Sequence, residues 1–283
     1  MKVLIGITAH NRADLLSKAI ESALAQDYAN KEVAVFDDAS TDETPLLRER
    51  FPQVKWFRNE SPKGYLYARN RLMREANADL YFSLDDDAWF IAGDEISNGV
   101  SVMQANPEVA ALAYDILSPD RPTPELRAAP RKTHVYIGCG HMLRLSAVAG
   151  VGYYTPNPGF YGGEEQDLCI RLLDQHHEIM YLPGVHVWHD KSASARNISA
   201  QHVSGVCNDL VFAFRRSPYP MLLWLLPGKI ASHMRFALRH DFVKPCLQGI
   251  GMFFGKIPAL MSTREPVSTG AFQEYRKRLR ASL

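Results

Sequence analysis

Three adjacent carboxylates, Asp85-Asp86-Asp87, close the strand-like segment 79–84. Carboxylates packed this tightly repel one another and resist burial, so the cluster calls for a cation, and hard oxygen donors favour Mg2+ or Mn2+. Such an ion is usually held by one or two carboxylates and completed by the phosphates of a substrate. In isolation the triplet reads as a solvated turn; its place after a buried strand favours the metal. Two further polar groups follow strand-like segments: Thr8-Ala9-His10-Asn11-Arg12 and Asp37-Asp38-Ala39-Ser40-Thr41-Asp42. Downstream, Glu164, Glu165 and Asp167 open a helical pattern whose apolar positions are Leu168, Ile170, Leu172 and Leu173. One of these acids can take a proton from a hydroxyl, and crowding is expected to raise at least one pKa toward a useful value. A purely electrostatic role at the helix start explains one or two of them, but not the preceding Phe160-Tyr161-Gly162-Gly163 loop.

The elements that must position these groups alternate. Strands are expected over Val3 to Thr8, Glu32 to Phe36, Val54 to Phe57 and Asp79 to Leu84, and helices over Asp14 to Gln26, Thr41 to Arg50, Gly64 to Ala76 and Gly93 to Ala105. That order describes a doubly wound α/β arrangement, in which ligands bind beyond the carboxyl ends of the strands. The three polar groups therefore converge on one edge. Later, Thr133 to Ile137 reads as a strand leading into Gly138-Cys139-Gly140-His141, which either shapes a ligand pocket or makes a tight turn. Residues 185–190 alternate like a strand, with His186 and Trp188 on one face and Val187 and His189 on the other. The segment from Pro119 to Lys132 is either a lid or a long connection.

Taken in order, Ile7-Thr8-Ala9-His10-Asn11-Arg12, Phe36-Asp37-Asp38-Ala39-Ser40-Thr41-Asp42, Ala68-Arg69-Asn70 and Ser83-Leu84-Asp85-Asp86-Asp87 resemble the nucleotide-binding half of family 2 glycosyltransferases with the GT-A fold. The stretch 162–172, GGEEQDLCIRL, resembles their acidic acceptor-site motif, usually written E-D-x-D-L. The likeness covers roughly residues 3–190, and the ordered set is far more specific than any one element. It implies a GT-A fold, Rossmann-like and mostly parallel, with a C-terminal helical extension. It also implies a nucleoside-diphosphate sugar as donor, a UDP-sugar being favoured, and Mn2+ or Mg2+ as cofactor. Thr8 and Ala9 would contact the base or ribose, Asp38 with Asp37 beside it would accept hydrogen bonds from the base, and Arg69 would lie over the nucleotide. Asp85 would face the ribose or the metal, Asp87 would bind the metal, and Asp86 has the least defined role. His189 would complete the metal shell. Position matching points to Glu165 as general base, where the family generally has Asp; the longer side chain leaves Glu164 and Asp167 open. The resemblance further implies direct displacement with inversion, onto a hydroxyl of a glycan or lipid-linked acceptor.

Two rival readings fit parts of the same pattern. A nucleotidyltransferase would normally carry a glycine-rich basic loop near the first strand, and His10-Asn11-Arg12-Ala13-Asp14 has no glycine. A non-catalytic membrane-associated or scaffold protein could retain such a domain, but the acids stand at all the matched positions. Nucleic acid is not an expected partner, since no binding motif accompanies the basic residues.

With 283 residues, 46% of them hydrophobic and 22% charged, the chain can bury a full core. Its net charge of +1 is unevenly spread: residues 1–212 hold 20 Lys+Arg against 28 Asp+Glu, and residues 213–283 hold 12 against 3. The expected division is a catalytic domain over 1–212, with its nucleotide half at about 1–115 and its acceptor half at about 116–212, followed by a basic, apolar helical tail over 213–283. Apolar clusters at 221–226 and 252–254 are too short to span a bilayer, which takes about 20 helical residues. Basic residues around them suit a helix on an anionic membrane surface, or else a helical hairpin packed on the enzyme body or a homodimer interface. MKVLIGITAHNR reads as a strand rather than an export signal, and the four cysteines form no CxxC pair. A cytoplasmic location, peripheral on the inner face of the membrane, is the expectation.

Overall fold

The run VLIGITA forms β1 (Val3–Ala9), buried along its whole length, with a parallel strand on each side of it. Gly6 is required by a close approach: a Cβ there would sit 2.4 Å from the ring of Tyr81. The protein is described from a computed structural model over residues 1–191 and 197–282. It divides into two units, Met1–Tyr153 with His176–Ser192, and Tyr154–Gln175 with Ala193–Leu283.

In the first unit α1 (Ala13–Leu24) buries Leu16, Ala19, Ile20 and Ala23 against the sheet. Then come β2 (Lys31–Asp37), a 3-10 turn at Thr44–Leu46, the single-turn α2 (Leu47–Arg50), β3 (Lys55–Arg58), α3 (Tyr65–Glu75), β4 (Leu80–Asp85) and β5 (Ala88–Phe90). They are followed by α4 (Glu95–Ala105), β6 (Val109–Leu117), β7 (Arg131–Lys132), β8 (His141–Arg144) and α5 (Leu145–Gly150). The second unit contributes α6 (Glu164–Asp174); the chain then returns as β9 (Glu178–His189). The sheet order is β3-β2-β1-β4-β8-β6-β9-β5, with β7 on β9. It is parallel from β3 to β4 and mixed beyond, where β8 runs antiparallel to both β4 and β6.

Two local expectations are corrected. The helix expected over Thr41 to Arg50 is two short turns, because the Asp42 carboxylate accepts from Thr44 N at 3.0 Å and Ala13 N at 3.0 Å, spending the first residues as a capped turn before Pro45. The strand expected over Thr133 to Ile137 is loop: pairing ends at Lys132, and Tyr136 instead stacks on His141 with centroids 4.0 Å apart. Residues 119–130 make a long connection pinned to β9, where Arg127 packs over Gly184 and its Nε donates to the Gly184 carbonyl at 3.2 Å.

The second unit is helical, with α7 (Ile198–Arg216), α8 (Met221–Arg239), α9 (Val243–Ser262) and α10 (Thr269–Ala281) after α6. Val206, Cys207, Leu210, Val211 and Phe214 of α7 share a core with Leu222, Ala237, Cys246, Phe253 and Leu260. The division expected at 212 therefore cuts through α7; charge composition follows the helix surfaces, whereas the core joins α7 to its successors. Among the described residues no helix is long and apolar enough to cross a membrane. All four cysteines are buried free thiols.

Candidate active site

Register assembles the site in the first unit. Thr8 pairs with Asp85 and Ala9 with Asp37, so the carboxyl ends of β1, β2 and β4 form one row. The antiparallel pairing of β5 with β9 sets Ala88 against His189 and so carries the imidazole to the carboxylates. His189 Nε2 lies 3.3 Å from Asp87 Oδ1, and the ligand atoms of Asp85, Asp87 and His189 lie within 4.8 Å of one another. Two hard oxygens and one imidazole nitrogen, with coordination left over for phosphate oxygens, fit Mn2+ or Mg2+.

The three aspartates have different neighbours. Asp85 is partly exposed and meets Arg69 Nη2 at 2.6 Å, with Thr8 Oγ1 at 3.4 Å. Asp87 is buried against His189 and Arg12, whose Nη1 is 3.3 Å away. Asp86 turns toward the β1 loop, accepting from His10 N at 2.9 Å and Arg12 Nη1 at 2.7 Å. Burial pushes the Asp86 carboxyl up to about 6, with Arg12 opposing the shift. Arg12 thus bridges two of the three acids. It was legible only as part of the matched string, since a loop arginine carries no signal of which acid it will meet. Arg69 itself is buried, its guanidinium 4.9 Å over the Tyr65 ring.

At the end of β2 both acids hold backbone. Asp37 pairs with Arg58 and accepts from Ser40 N at 2.8 Å. Asp38 accepts from Asn59 Nδ2 at 2.6 Å, Lys63 N at 2.9 Å and Gly64 N at 2.7 Å, strapping the 59–64 loop to the site. The Ala9 carbonyl accepts from Asp38 N at 2.9 Å. Ala39 sits at φ 61°, a left-handed conformation that costs a non-glycine residue about 1 kcal/mol, held here by the Asp37 carboxylate, which accepts from Ser40 N just beyond it. The Gly138-His141 stretch makes a tight turn, and a Cβ at Gly140 would meet Ile116 at 2.5 Å. His141 is fully buried, and burial, with Arg69 nearby, holds its pKa well below the ordinary value.

In the second unit, Gly163 at φ 93° leads into α6 and places Glu164, Glu165 and Asp167 in its first turn. Leu168, Ile170, Leu172 and Leu173 are buried, as their spacing requires. Asn208 clasps the loop before the helix, its amide accepting from Gly159 N at 2.8 Å and donating to Gly162 O at 2.8 Å. Asp167 is buried between Arg171 Nε at 2.9 Å and Arg216 Nε at 2.6 Å. Burial alone would raise its pKa, but Arg171 and Arg216 win and hold it below the ordinary carboxylate value. The expected crowding shift is thus reversed at this position by arginines, one of them 49 residues away in sequence. Glu164 is buried, and Glu165 is the partly exposed acid of the three.

The glycosyl transferase family 2 profile matches residues 4–150. Among curated proteins, the chain is 33% identical over 104 residues to the Escherichia coli UDP-Glc:alpha-D-GlcNAc-diphosphoundecaprenol beta-1,3-glucosyltransferase WfaP, covering 36% of this chain and 41% of that protein. It is 25% identical over 203 residues to the Haloferax volcanii glucosyl-dolichyl phosphate glucuronosyltransferase, covering 62% and 64%. The matches thus span less than two thirds of these relatives. Among solved structures, a Pyrobaculum calidifontis mannosyltransferase in complex with GDP-Man and Mn2+ superposes with TM-score 0.62 at 16% identity, over 99% of this chain and 80% of that one. S. aureus TarS in complex with UDP-GlcNAc superposes with TM-score 0.67 at 14% identity, over 94% and 82%. At these identities the superpositions speak for the fold, which is GT-A with a helical C-terminal region. With the profile covering more than half of its residues, the chain belongs to glycosyl transferase family 2.

Proposed function

We propose that this protein is an inverting glycosyltransferase that moves a sugar from a nucleoside-diphosphate sugar to a hydroxyl of a glycan or lipid-linked acceptor. The observation that carries the reading is the convergence of Asp85, Asp87 and His189 at the end of β4, beside the buried Arg69. Asp87, His189 and Asp85 would hold Mn2+ or Mg2+, which when bound supplies positive charge to the departing nucleoside diphosphate. Arg69 adds a fixed cation at the same edge, and its burial makes that charge felt more strongly than in water. Thr8 and the 37–40 turn shape the side of the site where the base and ribose would lie. Asp38 already serves the 59–64 loop, so a contact from it to the base would share or displace a loop N–H.

The proton of the acceptor hydroxyl is assigned to Glu165. Of the acids in α6, Asp167 is committed to two arginines and carries a lowered pKa, which makes it a poor base. Glu165 keeps partial exposure and stands in the first turn of the helix. A UDP-sugar donor and a polyprenyl-diphosphate-linked acceptor are the working choices, since the curated relatives named above include a transferase of that description. The test is a panel of nucleotide sugars with Mn2+ or Mg2+, read by thermal shift and by nucleoside-diphosphate release. One donor should raise the melting temperature selectively. If no donor does so, and Asp87→Ala leaves release unchanged, the assignment fails.

A further inference from the structure

The last two long helices are covered far less than their composition demands. α8 buries only Leu222 and Ala237, and α9 only Cys246, Gly249, Phe253 and Leu260. In α8, Leu223, Trp224, Phe236 and Leu238 are left in solvent, with Trp224 82% exposed. In α9, Leu247, Phe254 and Met261 are also exposed. Trp224, Ala231 and Leu238 recur at seven-residue intervals, as do Leu247, Phe254 and Met261, so each helix shows a continuous apolar line two turns per step. A tryptophan in water gains a great deal from a partner, and patches of this kind mark interaction sites.

Charge decides which partner. From Met221 to Ser262 the only acid is Asp241, in the turn between the helices. Lys229 and His233 point inward to Asp209, at 2.5 Å and 2.8 Å. Among the described residues no carboxylate pairs with Arg235, Arg239, Lys244 or Lys256, all of them exposed. A second copy of this face would set like charges against one another across an apolar seam. Helices of 19 and 20 residues are about 30 Å long, enough for a bilayer, yet neither is apolar enough to cross one.

We infer that the outward faces of α8 and α9 dock on an anionic phospholipid surface. The helices lie in the interface, Trp224, Leu223, Leu247 and Phe254 enter the acyl boundary, and Arg235, Arg239, Lys244 and Lys256 meet the phosphates. The driving force is buried apolar area plus attraction to anionic headgroups, and it requires no donor, acceptor or turnover.

The test is co-sedimentation of the full chain with vesicles of phosphatidylcholine mixed with phosphatidylglycerol, against phosphatidylcholine alone. The wild type should partition onto the mixed vesicles, and raised salt should weaken it. Trp224→Glu with Phe254→Glu should lower partitioning at least tenfold. Reversal of Arg235, Arg239 and Lys244 to Glu should lower it on the order of 100-fold, as each basic residue near the surface contributes several-fold. These positions are exposed, so melting temperatures should stay at the wild-type value, and nucleoside-diphosphate release without lipid should be unchanged. The proposal is overturned if the wild type fails to sediment, if it binds both vesicle types equally, or if the variants sediment like wild type. It is also overturned if size-exclusion chromatography shows a dimer that Trp224→Glu dissolves, since the face would then belong to a second copy.

Discussion

Two groups of three acids stand in this chain, and they are neutralised in opposite ways. At the end of β4 the carboxylates of Asp85 and Asp87 meet each other and His189, with Arg12 and Arg69 supplying partial compensation from the side. At the start of α6, Asp167 lies inside a set of arginines, paired with Arg171 and Arg216 while the buried Arg215 lies close enough to affect its titration. The first arrangement leaves ligand atoms facing a common point. In the second, Asp167 has none to offer, because both of its oxygens are already hydrogen-bonded. An acidic motif can thus serve chemistry or serve the core, and the partner charges distinguish the two.

The contrast breaks most sharply at Glu165. Glu165→Gln should lower turnover by about 10^2 to 10^4 in protein that still folds, because the substitution keeps the side chain's size and removes the proton acceptor proposed for the hydroxyl. Asp87→Ala should lower turnover by about 10^2 to 10^3 and cost less stability in metal-free buffer than a change at Asp167, since Arg12 keeps Asp86 as a partner. Asp167→Asn should do the reverse. Urea unfolding should show a loss of about 3 kcal/mol, the cost of stranding buried guanidinium groups, with any activity loss tracking the unfolded fraction. If Asp167→Asn instead abolishes turnover at full stability, Asp167 serves the chemistry and the division of labour between the two acidic groups is overturned. His189→Gln is the milder change at the β4 site, weakening Mn2+ binding by about tenfold in a metal titration.

Acid sharpens the same comparison. The Asp167 pKa is depressed in the folded state, so the unfolded chain binds the proton first. Its stabilising contribution is therefore full above the ordinary carboxylate range near 3.9 and is lost as pH falls through the lower folded value. Urea midpoints followed downward from neutrality should drop more steeply in the wild type than in Asp167→Asn.

The β4 site was legible because its residues follow strands directly, and the register of a parallel sheet carries strand ends to one edge regardless of loop detail. Thr8, Asp37, Asp38 and Asp85 needed only that rule. His189 needed an antiparallel pairing between the three-residue β5 and the far end of β9, which no local pattern announces. Likewise β6 is a continuous buried strand, VAALAYDIL, whose sequence does not announce it, because a short apolar run reads equally as helix or strand. The Asp167 lock depends on Arg216 at the end of α7, and a charge pair between distant helices leaves no trace in spacing. In the last helices, composition identified apolar, basic segments, but only the packing shows that α8 keeps Trp224 outside and Leu222 inside.

Arg12 reaches from the β1 loop to both Asp86 and Asp87, and Arg69 to Asp85, so the three carboxylates of the triplet and these two guanidiniums together carry a single negative charge. A divalent cation entering that edge would overcompensate it. On the proposed reading, the resulting positive site would hold the ion weakly by itself and firmly once a diphosphate arrived to balance it, so that metal and nucleotide would enter and leave together.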